Sequence, residues 1–121
     1  MTFDADGEKL EALRTAIRGK DRGARRAAII DRSLPDDALL DALDSLRDKD
    51  KGAWVMATNA LNRRVSSASA HEKTALLAMA TQRLGEAKTG TEKLQRRETL
   101  DEIERELLRE KTRSGKVVSL G

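Results

Sequence analysis

The chain has few or none of the residue types that form disulfide bonds and many active sites. Cysteine and tyrosine are absent, and histidine, proline, tryptophan and phenylalanine occur once each in 121 residues. Without cysteine there is no disulfide framework, no thiolate metal site and no cysteine nucleophile. No apolar run approaches the roughly 20 residues of a membrane span. These features predict a soluble, cytoplasmic protein that does not contact a membrane.

The residues that could carry catalysis are few and have structural explanations. His71 follows Ser69 in the stretch SAHE, where Ser69 and Glu72 match a capping box at a helix start. Four aspartates follow helical spacing, which is typical of a solvated helix face as well as of a magnesium site: Asp37, Asp41, Asp44 and Asp48. We therefore expect no enzyme, and with it no catalytic residue, no metal, no cofactor and no small-molecule substrate.

Helical periodicity dominates what the sequence does contain. It predicts an all-α fold, a small bundle of about five short helices plus a longer, charged C-terminal helix. Third-helix leucines should face inward: Leu39, Leu40, Leu43 and Leu46. In the second helix the inner side is expected to hold Ala24, Ala27, Ala28 and Ile30, with Ile29 at its margin. Residues 1–87 are expected to form a compact domain and residues 88–121 a helix to about Thr112 with a flexible tail.

One segment resembles a known repeat family. The stretch LRDKDKGAWVMATNAL, residues 46–61, is similar to the turn and second helix of a HEAT repeat. The matching positions are Asp50, Ala53, Ala57, Ala60 and Leu61, and Trp54 stands where those repeats favour arginine. The segment is expected to be single, because no second copy accompanies it.

Charge is distributed in blocks. The net charge is +3 overall, but residues 14–32 hold seven cations and two acids, whereas residues 33–50 hold six acids and two cations. Six of those cations are candidates for binding nucleic acid or an acidic partner: Arg14, Arg18, Lys20, Arg22, Arg25 and Arg26. They can contact a phosphate backbone. Alternatively, they pair with the aspartates of the third helix.

The last helix is a candidate for contact with a partner. Leu100, Ile103, Leu107 and Leu108 form a short apolar stripe that can bind another protein or a second copy of the chain. Alternatively, this stripe folds back on the core. The sequence thus predicts a non-enzymatic adaptor or accessory subunit in a nucleic-acid-handling or mobile-element-encoded assembly. The alternative is direct, weakly specific binding of a nucleic-acid backbone. Arginine- and alanine-rich composition favours a bacterial or phage source.

Overall fold

Helices account for all regular secondary structure among the residues that the structure describes. A computed structural model describes the backbone of residues 5–119 and the side-chain environments of residues 7–109. Its helices are α1 (Ala5–Arg18), α2 (Arg22–Ile30), α3 (Asp36–Leu46), α4 (Lys51–Ser67), α5 (Ala70–Gly85) and α6 (Gly90–Ser119). The all-α prediction is confirmed, with five shorter helices and one longer C-terminal helix. None of the described helices combines the length and apolarity needed to cross a bilayer.

The chain divides into two compact units, with the boundary between Ala60 and Leu61. The first unit contains the helix pairs α1–α2 and α3–α4. Its core follows the leucine pattern of α3, since Leu39, Leu40, Leu43 and Leu46 are all buried as predicted. Three alanines of α4 are also buried, Ala53, Ala57 and Ala60. Their spacing of three to four residues places them on one face of the helix.

The two helix pairs of the first unit share one sequence pattern at the turn and the start of their second helix. Residues 18–28 read RGKDRGARRAA and residues 47–57 read RDKDKGAWVMA, with six of eleven positions identical. The expectation that the HEAT-like segment is single was wrong, since a second copy begins 29 residues earlier. In both copies an aspartate directly precedes the second helix of the pair and accepts hydrogen bonds from its first amides, at Asp21 and Asp50.

The inward side of α2 differs from the predicted one. Arg25, Ala28 and Ile29 are buried, whereas Ala24 and Ala27 are exposed and Ile30 is 55 % exposed. The helix is therefore rotated by about one residue relative to the expected apolar stripe. A local count of apolar residues could not predict this rotation, because the partner of Arg25 lies on the other helix pair.

The second unit begins in the last turns of α4 and contains α5 and α6. The predicted capping box at the start of α5 is present, since Ser69 accepts from the Glu72 amide and Glu72 accepts from the Ser69 amide. Before α6, the Thr89 hydroxyl accepts from the Glu92 amide, and the Glu92 carboxylate accepts from the Lys88 backbone amide. The backbone of α6 is helical to Ser119, beyond the predicted end near Thr112.

Helix α6 packs into the second unit. Leu100 and Ile103 are buried together with Leu76 and Ala80 of α5. Two bonds join α6 to the end of α4: Asn62 donates to Glu102 over 3.1 Å, and Ser66 donates to Glu106 over 3.2 Å. Leu100 and Ile103 thus belong to the core of this unit. The predicted domain boundary near residue 88 stays a prediction.

Candidate functional site

Arg25 is the central polar residue of the first unit. It is 4 % exposed, and its guanidinium donates to the carbonyls of Ile17 and Gly19 at the end of α1. A third bond runs from Nη1 of Arg25 to Oδ2 of Asp50 over 2.8 Å. One side chain therefore bonds to a carbonyl in the last turn of α1, to the Gly19 carbonyl just after it, and to Asp50 directly before α4. The turn after α1 and the turn before α4 are adjacent as a result.

Asp50 occupies the other end of this contact. Its Oδ1 atom accepts from the Ala53 amide over 3.2 Å and faces Nη2 of Arg26 at 3.5 Å. The bond from Arg25, followed by the bond from the Ala53 amide, holds the pKa of Asp50 below its usual range. The carboxylate is therefore charged at neutral pH. The positive end of α4 favours the same charge state.

The structure divides the six predicted binding cations. Arg25 is buried and bonded as described, and Arg14 donates to Asp37 over 3.3 Å. The Arg14–Asp37 pair is one that the alternative interpretation expected, whereas the Arg25–Asp50 pair was not expected, because Asp50 lies after the end of α3. Arg26 is partly exposed and lies beside Gly52, where an added Cβ would stand 2.8 Å from its Nη2 atom. Arg18, Lys20 and Arg22 are exposed.

Equivalent cations occur in the second copy of the pattern, and sequence reasoning missed them. Lys49 and Lys51 match Lys20 and Arg22 and are also exposed. Arg47 matches Arg18, but its guanidinium lies 5.8 Å from the centre of the Trp54 ring. The sequence match that indicates them lies between residues 18–28 and residues 47–57, at an offset of 29 residues. We call the five exposed cations the basic edge: Arg18, Lys20, Arg22, Lys49 and Lys51.

The basic edge is a group of cations that form no ion pairs with the side chains that the structure describes. None of its five side chains forms a salt bridge with another side chain between residues 7 and 109. Two exposed carboxylates lie in the same turns, Asp21 and Asp48. Asp21 already accepts from the amides of Gly23 and Ala24, at 2.9 and 3.2 Å. Positive charge therefore exceeds negative charge along the edge.

A cleft between α1 and α3 borders the same region. Its lining combines apolar side chains with charged and polar ones: Arg14, Ile17, Arg18, Ala38, Asp41, Ala42 and Ser45. The volume is about 30 Å³, which is space for roughly one water molecule. The cleft is therefore too small for a ligand much larger than water.

The remaining candidate residues have separate positions. Asp41 and Asp48 are exposed while Asp37 and Asp44 are half-buried, and no group of three metal-ligating side chains was found among the described residues. His71 is exposed in the first turn of α5, where its neighbours Ser69 and Glu72 form the capping box. In α6, Leu107 is half-buried and Leu108 is 63 % exposed.

Comparison with known proteins adds no relative. No protein-family model matches the chain, and neither a curated protein nor a solved structure matches it. The fold and the sequence define the chain as a protein of helix pairs, two of which share one sequence pattern.

Proposed function

We propose that this protein is a non-enzymatic adaptor or accessory subunit that acts by surface contact, and that the basic edge binds an anionic partner. The observation that carries the proposal is the repetition of exposed cations in two adjacent turns. A repeated pattern keeps buried residues for the fold and leaves the turn residues to contact a partner. The proposal places the protein in the cytoplasm, in a nucleic-acid-handling or mobile-element-encoded assembly.

The roles of the buried charged residues support a non-enzymatic function. Arg25 and Asp50 bond to the ends of α1 and α4, and Glu106 accepts from Ser66 and Arg109. Each of these three groups holds helices in place. Functional sites often hold perturbed charged groups in a cleft, whereas Asp50 has its perturbed pKa from structural contacts.

The exposure of Leu108 favours a second proposed contact surface on α6. It is 63 % exposed, as is Leu94 at 59 %, and both lie on α6. Contact through Leu107 and Leu108 with a partner helix or a second copy stays a prediction. Contact through Leu100 or Ile103 is not proposed, because both side chains are buried in the second unit.

Heparin chromatography tests the proposal with two matched variants of the full chain. The edge variant, Lys20→Gln/Arg22→Gln/Lys49→Gln/Lys51→Gln, removes four cations of the basic edge. The control variant removes four exposed cations of the second unit, Arg63→Gln/Lys88→Gln/Lys93→Gln/Arg97→Gln. Both have the same net charge. We expect the edge variant to elute at much lower salt than the control, and equal elution would contradict the proposal.

A further inference from the structure

The basic edge has the composition of a surface that contacts phosphates. Its two turns, residues 18–22 and 47–51, contain no large apolar and no aromatic side chain. Interfaces between proteins usually have an aromatic or aliphatic anchor at their centre, with charges at the rim. Interfaces with nucleic acid are more polar and more basic. The composition therefore favours a nucleic acid over an acidic protein.

The cations lie in two adjacent turns. The Arg25 guanidinium bonds both to Gly19 in the first turn and to Asp50 in the second, so the two turns are fixed side by side. Each turn adds a lysine and its neighbouring cation at equivalent positions, Lys20 with Arg22 and Lys49 with Lys51. A polymer whose charges repeat at regular intervals can contact both turns at once.

Neither turn is equipped to read bases or to stack on them. Asparagine and glutamine are absent from both turns, although they are common readers of adenine. The sole tryptophan, Trp54, is half-buried with Arg47 over its ring, so it is not a free platform for an unpaired base. The amides of Gly23 and Ala24 in α2 are bonded to Asp21, and the Ala53 amide of α4 is bonded to Asp50. We therefore expect contact mainly through the cationic side chains.

We infer that the basic edge binds the phosphate backbone of duplex nucleic acid without reading its sequence. This inference rests on the proposed function and names its partner. The contacts are electrostatic, so affinity depends steeply on salt. With four to five phosphate contacts, raising salt from 50 to 200 mM should lower the affinity by roughly 100-fold or more.

Fluorescence anisotropy with a labelled 20-base-pair DNA duplex tests the inference on the full chain. Wild-type protein and the control variant should bind with the same steep salt dependence. The edge variant should bind at least about 10-fold more weakly at 50 mM salt, with a slope of log affinity against log salt reduced by about four. Circular dichroism and thermal unfolding establish that all three proteins are folded.

Three further probes separate the outcomes. Two duplexes of unrelated sequence should bind equally, and a single strand of equal length should bind more weakly. Binding to poly-L-glutamate but not to DNA would overturn this inference while keeping the proposed function. Binding to no polyanion at all would overturn both, and an edge variant that binds duplex as tightly as wild type would overturn the inference alone.

Discussion

The first and second helix pairs share a sequence pattern but use it differently. Asp50 is buried and accepts a hydrogen bond from the Arg25 guanidinium of the other pair. Its counterpart Asp21 is exposed and accepts from amides of its own helix. The position four residues later is Arg25 in one copy and Trp54 in the other. One motif therefore supplies a helix cap in both places, and in the second place it also joins the two pairs.

The largest expected effect comes from breaking that junction. Arg25→Met removes the partner of a buried carboxylate and leaves the carbonyls of Ile17 and Gly19 without their donor. Breaking a buried ion pair from one side is strongly destabilising, so we expect Tm to fall by roughly 10 °C or more. Thermal unfolding followed by circular dichroism measures this. A fall of only one or two degrees would show that the junction is dispensable.

The equivalent aspartates provide a matched pair of substitutions. Asp50→Asn removes the charge that Arg25 needs, and Tm should fall by several degrees because a buried cation loses its counter-charge. Asp21→Asn should leave Tm within about one degree, since asparagine caps a helix as well as aspartate does. Equal effects of the two substitutions would contradict the comparison.

Acid should reduce the stability that the Asp50 carboxylate gives to the fold. The pKa of Asp50 is lowered in the fold, so its contribution to stability is present above its unfolded pKa of about 3.9 and is lost as pH falls through the lower, folded value. Wild-type unfolding free energy should therefore decline below about pH 4. In Asp50→Asn this decline should be shallower. Identical acid profiles from urea titrations of the two proteins would contradict the assignment.

The smallest effects concern the paired glycines. At Gly23 an added Cβ would meet only Oδ1 of Asp21 at 3.4 Å, whereas at Gly52 it would stand 2.8 Å from Arg26. Alanine is favoured over glycine in helices, so Gly23→Ala should stabilise the fold by about 0.5 kcal/mol. Gly52→Ala should gain less, because the Arg26 side chain must move away from Asp50. Urea unfolding measures both, and a larger gain at Gly52 would contradict this reasoning.

The sequence predicts those features that depend on neighbouring residues. The leucine stripe of α3 and the Ser69–Glu72 capping box follow from spacing within a few residues, and both are present. The inward position of Arg25 could not be predicted in this way, because it depends on Asp50, which is 25 residues away. Similarly, the burial of Leu100 and Ile103 depends on packing between α5 and α6.

The second half of the basic edge could have been recognised from sequence. Comparing residues 18–28 with residues 47–57 reveals the repeat, and with it the equivalence of Lys49 and Lys51 to Lys20 and Arg22. What the sequence alone does not reveal is that the two turns are adjacent. That adjacency comes from the three bonds of the Arg25 guanidinium.

The most direct test compares the two turns in their salt dependence for duplex DNA. The paired variants Lys20→Gln/Arg22→Gln and Lys49→Gln/Lys51→Gln each remove two cations from one turn. If both turns contact the same backbone, each variant should reduce the slope of log affinity against log salt by about two. A slope that changes in only one variant, or in neither, would contradict a single edge built from both helix pairs.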